Sequence, residues 1–501
     1  MSEPVSAIEY HARTSHSPES VRGGPGLDFT NKPRPFKIYR DRPAVPIDDE
    51  VEPPDVPALA AVARTGVDDG GEVDVTTLAT CCHYAAGITK TLALGGEPRH
   101  FRAAACTGAL YHINLYLVTA ELPGLGAGVY HYDPLHERLD TVRTGDYRGV
   151  IAAATDGRSH SAPAIVIATS TWWRNAWKYR ERTYRHAFWD GGTVLANLIA
   201  TAHAHEMPAS VLAGFADHSI AELIGVEPRR EAPIALATIG RDASSPPARS
   251  IEPIDPATEP DDSSPIDYPL IHAAWAASTL PDGESVANWR SAPVSDAGPT
   301  GGNRVALTPV DRSVASDRPL ANTIERRGSC RQYGREDISY AKFSTVLDRA
   351  CRGVPLDVRD RDGDPLQSVD CFTVVNGVSG IEPGAYQYHP DANELELLRA
   401  GEHRSEAGHL ALDQRLGADA AACVYFLADL EVLSNRLGDR GYRVAQLEAA
   451  LTAGRLYLAT YAHRSLGGTG LTFYDDAVTR FFDPRAAGRT PMFLYTIGRP
   501  A

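Results

Sequence analysis

Three stretches of the 501-residue chain gather side chains that could hold a ligand or move a proton. In "ERRGSCRQY", Arg327, Ser329 and Arg331 fall at alternating positions just before a helix. Alternation turns three donors to one side of extended backbone, and two forked guanidiniums with a hydroxyl suit a phosphate. A solvated basic turn is the other reading of that spacing. In "WWRNAWKYRERTYR", Lys178 is one of five lysines and stands beside Tyr179. Such a pair supplies a proton acceptor and a donor once burial and nearby cations lower the lysine pKa. A surface helix start with stacked aromatics would carry the same residues. In "RAAACTGALYHINLY" (102–116), small residues around Cys106, Thr107 and Gly108 stand ahead of a strand. They let a planar ligand approach the backbone, whose N–H groups can donate, or they make a tight helix-to-strand turn.

The elements that must position these residues occur twice. Residues 128–148 ("GVYHYDPLHERLDTVRTGDYR") and 384–404 ("GAYQYHPDANELELLRAGEHR") align without a gap, with eight identities in 21 positions. Average composition would give roughly one or two. Tyr184-Arg185 aligns with Tyr442-Arg443, Phe215 with Phe473, Asp217 with Asp475, and the endings "ATIGR" and "YTIGR" match. The repeat therefore spans whole domains, and a fused pseudo-dimer allows a site between its halves. Residues 1–55 read as an extended arm, 56–241 as the first domain, 242–319 as a linker and 320–501 as the second domain. The linker reading rests on 12 of the 36 prolines falling within 241–320. Its Tyr268, Trp275 and Trp289 predict that it packs along the surface. In the first domain, 56–65, 75–93 and 181–206 predict helices, 162–170 a buried strand, and "NLYLVTAEL" with "GVYHYD" a hairpin. The second predicts helices at 338–351 and 442–464 in the same order.

The net charge of −15 opposes nucleic acid and anionic membranes as partners. The seven cysteines are scattered, without a CxxC pair, and Cys81-Cys82 are adjacent. That predicts a reduced cytoplasmic protein without structural zinc or another metal. No stretch approaches a membrane-spanning length of apolar residues, and the first 30 residues lack a signal-peptide core.

The halves differ where the chemistry would lie. The basic cluster opens only the second half, while the small-residue loop and the Lys178-Tyr179 pair belong only to the first. Together these residues resemble the FMN-binding nitroreductase superfamily, and within it the SagB-type azoline (thiazole/oxazole) oxidases, in tandem form. "RRGSCRQY" resembles the family's Arg-x-Ser-x-Arg entry to the flavin phosphate. "AAACTGALYH" stands where the family has Pro-Ser-Ala-Gly-Ala-Leu-Tyr-Pro, so Cys106, Thr107 and Gly108 take flavin-facing positions. Ala105 and Cys106 replace Pro-Ser there, and His112 replaces a Pro. "WKYRERTYR" is similar to the catalytic Lys-Tyr motif, and "LGGTGLTFYDD" to the loop against the isoalloxazine, implying Thr469, Gly470 and Leu471.

The resemblance implies an α+β fold of two nitroreductase-like domains, each a mixed or antiparallel sheet flanked by helices, joined as an intramolecular pseudo-dimer. It implies one composite FMN site fed by both halves. The implied reaction is dehydrogenation of a peptidic or small azoline-type substrate by hydride transfer to flavin. Two alternatives stand beside it: an NAD(P)H-dependent nitro- or quinone reductase, and a flavin-less pseudoenzyme acting as a binding partner. Further homodimerisation, or association with a peptide-modifying complex, is compatible with each.

Overall fold

Alternating apolar residues in the twin segments build hairpins, and each hairpin nucleates one antiparallel sheet. The computed structural model describes residues 4–22, 26–63, 70–94, 97–241, 243–291, 302–311, 318–359 and 366–501. The first half contains β1 (Ala44–Pro46), β2 (Ile88–Leu94), β3 (Glu97–Arg102), β4 (Ile113–Thr119), β5 (Gly128–Asp133), β6 (Arg138–Thr144), β7 (Ala164–Thr171), β8 (Ala209–Leu212) and β9 (Glu231–Ile239). The second contains β10 (Arg304–Ala306), β11 (Tyr333–Gly334), β12 (Asp370–Val375), β13 (Gly384–His389), β14 (Glu394–Ala400), β15 (Ala422–Ala428), β16 (Gly467–Leu471) and β17 (Thr490–Pro500).

The first sheet runs β1-β6-β5-β4-β7-β9-β8, and the second runs β10-β14-β13-β12-β15-β17, with β16 and β11 both on β17. Every named ladder is antiparallel. The twin hairpins carry the same bulge, between Val129 and Tyr130 and between Ala385 and Tyr386. At Gly128 and Gly384 a Cβ would fall 2.9 and 2.7 Å from the carbonyl oxygens of Arg143 and Arg399, so both strands need glycine there. These segments are scaffold.

Two long helices, Thr183–Ala204 and Arg440–Ala462, form the seam between the halves. Their approach is reciprocal. A Cβ on Gly192 would lie 2.4 Å from Ala450 Cβ, and one on Gly454 would lie 2.5 Å from Ala196 Cβ. Tyr184 and Tyr442 stack with centroids 6.3 Å apart and planes 8° from parallel. Reciprocity of this kind marks an isologous interface.

Buried charge closes both ends of the seam crosswise. Asp475 of the second half binds Arg185 at 2.6 Å and Arg182 at 3.3 Å, both of the first half. Asp217 of the first half binds Arg443 and Arg440 of the second, each at 2.6 Å. Burial opposes the ionisation of Asp475, but Arg182, Arg185 and His11 outweigh it and hold its carboxyl well below the usual range. Asp217 is lowered too, against burial, by Arg440, Arg443 and the Leu280 amide.

The arm and the linker are equivalent parts of the repeat. The arm helix Ala7–Thr14 caps the Asp475 end: Arg185 donates to the His11 carbonyl at 2.6 Å and to Thr14 Oγ1 at 3.0 Å. The helix Pro269–Ala277, within the expected linker, caps the Asp217 end. There Arg443 donates to the Trp275 carbonyl at 3.0 Å and to Ser278 Oγ at 2.8 Å. β1 then edges the first sheet as β10 edges the second. The described part of 242–319 packs against the first half and the seam, as its aromatic residues predicted, and it contains helices and an edge strand. Within 242–319, residues 242, 292–301 and 312–317 lie outside the described residues, as do 1–3 and 23–25 of the arm.

Other expectations shift in detail. The helix expected at 75–93 ends at Ala86, where Gly87 N–H bonds the His83 carbonyl, and β2 follows. The β-branched Ile88, Thr89 and Thr91 favour strand there. The helix expected at 56–65 spans Ala58–Ala63, with 64–65 outside the described residues. Among the described residues, no helix is long and apolar enough to cross a membrane.

The symmetry of the charge clusters gives a test. Asp475→Asn should lower stability by about 3–5 kcal/mol, because it strands two buried guanidiniums, and Asp217→Asn should cost a similar amount. Both depressed carboxyls contribute stability above the unfolded carboxyl pKa, and that contribution is lost as pH falls below about 4. Urea unfolding midpoints of both variants across acidic pH check the magnitude and the sign; a large cost at one carboxylate and none at the other would refute their equivalence.

Candidate functional site

At one edge of the seam the two halves bring different groups together. The second half contributes Arg327, which ends the helix Leu320–Arg326, followed by irregular backbone to β11. The next helix begins only at Tyr340, so the cluster leads into a short strand rather than directly into a helix. Arg327 donates to the Ala103 and Arg102 carbonyls at 2.9 and 3.2 Å, across the seam. Its guanidinium also lies 5.6 Å from the Tyr457 ring centre, and Tyr457 Oη accepts the Gly470 N–H at 2.6 Å. Cys330 N–H bonds the Gly468 carbonyl at 3.1 Å, which ties the cluster to β16. Arg327 is thus spent as a brace between the halves. Arg331 is exposed and Ser329 half-buried.

β16 holds Thr469, Gly470 and Leu471 opposite Thr496, Tyr495 and Leu494 of β17. Thr469 is buried, and its carbonyl accepts from Thr496 Oγ1 at 3.0 Å. A Cβ on Gly468 would fall 1.9 Å from Tyr495 Oη, so the strand's glycines let it lie flat against that ring.

The first half contributes the helix Trp172–Tyr179 and the loop 105–112. Lys178 sits in that helix's last turn with Nζ 5.1 Å from the Tyr179 ring centre. Its pKa is lowered by partial burial first, then by Lys32 of the arm and Arg331 of the second half. Lys32 of the arm and Arg331 of the second half are thus the charged groups that act on Lys178, and both disfavour its charged form.

Tyr179 reaches the loop. A Cβ on Gly108 would lie 2.9 Å from Tyr179 Oη, so glycine makes room for the hydroxyl. Burial first, then Asp190 and Cys106, pushes the Tyr179 pKa up, which keeps its proton in place. The loop backbone is strained: Gly108, Ala109 and Tyr111 take φ of 62°, 52° and 49°. Left-handed conformations at non-glycine residues concentrate where ligands are clamped.

Cys106 and Thr107 turn onto Asp190 of the Thr183–Ala204 helix. Cys106 Sγ donates to Asp190 Oδ2 at 3.0 Å and accepts the Tyr111 N–H at 3.1 Å. Thr107 gives its N–H to Asp190 Oδ1 at 2.9 Å and its hydroxyl to Oδ2 at 2.7 Å. Asn175 donates to Thr107 Oγ1 at 2.7 Å, which couples the loop to the Lys178 helix. The positions expected to face a flavin through these two side chains can offer only backbone there; Gly108 and Ala109 remain exposed.

Asp190, Asn175 and Lys32 are the groups that motif reading did not single out. Asp190 had one signal, a carboxylate in "AFWDGGTVLANLIA", where every neighbour is apolar or small. Lys32 had none, since its role depends on the arm wrapping back to Trp177, whose ring centre lies 5.8 Å from Lys32 Nζ.

The mirror-image edge is filled by protein. Segment Pro355–Asp357 pairs with Val211 of β8, and the Asp357 carboxylate accepts the Ala213 and Gly214 N–H groups at 2.6 and 3.3 Å. Arg290 bonds the same carboxylate. Among the described residues, the exposed glycine loop with Lys178 beside it is at the other edge.

No family model matches the chain. The chain is similar to the trifolitoxin-processing protein TfxB of Rhizobium leguminosarum bv. trifolii, 34% identical over 138 residues, or 26% of this chain and 36% of that protein. It is 29% identical over 140 residues to the microcin B17-processing protein McbC of Escherichia coli, 26% of this chain and 52% of that one. The chain thus spans only about a third to a half of these two relatives. A crystal structure of a nitroreductase-like protein from Anabaena variabilis superposes over 100% of both chains, with a TM-score of 0.73 and 26% identity. Two antiparallel sheets, a reciprocal helical seam and that full-length superposition make this chain a tandem protein of the nitroreductase-like fold.

Proposed function

We propose that the chain is an FMN-dependent oxidoreductase that dehydrogenates an azoline-type ring in a peptidic or small substrate. The observation that carries this reading is the close approach of Tyr179 Oη to Gly108, at the end of the helix where Lys178 feels the charges of Arg331, from the second half, and of Lys32. The two processing proteins among its relatives support a substrate matured within a larger product.

The exposed Arg331 guanidinium and the half-buried Ser329 hydroxyl suit the phosphate of a flavin mononucleotide, and the exposed Gly108 backbone leaves room for a planar ring. FMN, when bound, supplies a two-electron acceptor for the substrate's hydride. Arg331 and Ser329 bind the phosphate, and Arg327 fixes their distance from the first-half loop. Lys178, its charged form disfavoured by burial and by two neighbouring cations, accepts the substrate proton at Nζ. Tyr179 keeps its own proton and holds the substrate by donating from Oη.

Three outcomes check this. The purified full chain should be yellow, or become so with added FMN; a colourless protein that takes up none would sink the reading. Arg331→Ala should weaken FMN binding by roughly 10- to 100-fold, the loss of one charge-assisted contact, whereas Lys178→Ala should keep the flavin and lose about 10²–10⁴ in turnover. Full turnover by a flavin-loaded Lys178→Ala protein would remove the base.

Turnover should also rise with pH through an ionisation below the ordinary lysine value of 10.5. Removing a neighbouring positive charge raises a lysine pKa, so Lys32→Ala should move that limb to higher pH. A limb unmoved by Lys32→Ala would separate the observed ionisation from Lys178. Rapid NAD(P)H oxidation with a nitroaromatic acceptor would instead favour the reductase.

A further inference from the structure

Beneath Tyr179, the inward-turned loop makes a cluster that the proposed reaction does not use. Asp190 Oδ2 accepts from Thr107 Oγ1 at 2.7 Å and from Cys106 Sγ at 3.0 Å, and His112 Nε2 lies 2.8 Å from it. Three side chains crowd one carboxylate oxygen, which offers about two lone pairs. The ligating atoms of Cys106, His112 and Asp190 all lie within 4.8 Å of one another. His112 and Asp190 are buried, whereas Cys106 is reached from the loop side. A cavity with room for one water-sized guest borders Cys106 and Asp190, lined also by Ala104, Tyr111 and Val194.

The second half supplies an internal control. Glu448 stands on the 440–462 helix where Asp190 stands on the 183–204 helix, and it accepts the Ser368 N–H at 2.8 Å and the Ser368 hydroxyl. By the register of the twin strands, Ser368 stands where His112 stands in the first half. His112 thus takes the place of a short donor, and with Cys106 it makes the groups around Asp190 a mixed sulfur, nitrogen and oxygen set.

We infer that Cys106, His112 and Asp190 form a binding site for a Zn2+-class divalent cation. Thiolate, imidazole and carboxylate together suit a borderline-soft ion in tetrahedral geometry. Ligand atoms about 3.2–3.7 Å apart surround such an ion at metal–ligand distances of about 2.0–2.3 Å. The 2.8 and 3.0 Å hydrogen bonds need to open by about half an ångström. Three protein ligands leave a fourth position for Thr107 Oγ1 or a water.

His112 is already aimed for this role. Its Nδ1 lies 2.8 Å from Ser170 Oγ, a hydroxyl that can accept from Nδ1–H and so leave Nε2 bare for the ion. On binding, the Cys106 proton leaves to solvent and Asp190 exchanges two donors for one cation. The site is independent of the flavin reading and belongs to the first half alone. It also differs from the zinc-free expectation, because its ligands come from a loop, a strand approach and a helix instead of a CxxC spacing.

Metal analysis of the purified full chain after zinc loading and desalting tests this. One zinc per chain is expected, falling at least about tenfold in Cys106→Ser and in His112→Gln. Cobalt added to the metal-free chain should give a thiolate-to-cobalt charge-transfer band that Cys106→Ser lacks. That spectrum is read on the unaltered protein, so a variant that misfolds does not decide the outcome. A chain that retains no zinc and shows no thiolate–cobalt band overturns the site. So does a zinc content unchanged in a folded Cys106→Ser protein. Flavin released from the same samples is measured separately, so loss of one reading is distinguishable from loss of the other.

Discussion

Two buried carboxylates, Asp217 and Asp475, each hold a pair of guanidiniums from the opposite half, and the rest of the molecule is arranged around them. A buried charge is tolerated only when its partners are present and its remaining valences are filled. Each cluster therefore needs contributions from three places: an acid from one half, arginines from the other, and carbonyls or hydroxyls from a capping helix. The arm supplies that cap at one end and the 269–277 helix at the other. The charge clusters set the ends of the seam, and the Gly192–Ala450 and Ala196–Gly454 contacts set how closely its helices approach.

That symmetry is what gives the asymmetry meaning. Once the seam is fixed, each of its edges is a potential cleft, and the chain treats them differently. One edge is plugged by Pro355–Asp357, whose carboxylate takes the amides that a ligand would otherwise meet. The other keeps a glycine strand, a loop with left-handed backbone and Lys178, on which Lys32 and Arg331 act. A duplicated scaffold needs only one working site to be kept, and the vacated edge then becomes available for stabilising contacts.

Much of this architecture can be read along the chain, because apolar periodicity and repeat identity are local properties. The hairpins at 128–148 and 384–404, the central strand near 162–170 and both seam helices follow from pattern alone. The misreadings share one cause. Proline-rich composition in 242–319 concealed a helix and an edge strand whose stability comes from contacts with distant residues, such as Arg443 with Trp275. The expected 75–93 helix stopped at Gly87 because the β2–β3 hairpin begins there. Within the site, residue types identified Arg331, Lys178 and Tyr179 as groups able to do chemistry. They did not show that Arg327 is occupied by backbone carbonyls, or that Cys106 and Thr107 face Asp190.

The amino-acid sequence by itself determined the duplication, the tandem sheet-and-helix plan and which half carries each unusual residue, because these follow from spacing and periodicity. Only the tertiary structure decided which of those residues meet: Arg327 with the Ala103 carbonyl, Tyr179 with Gly108, and Asp190 with Cys106 and His112. Side-chain direction and the approach of segments separated by as many as 459 residues depend on helix crossing and strand register. Those are properties of the packed seam, which no local pattern encodes.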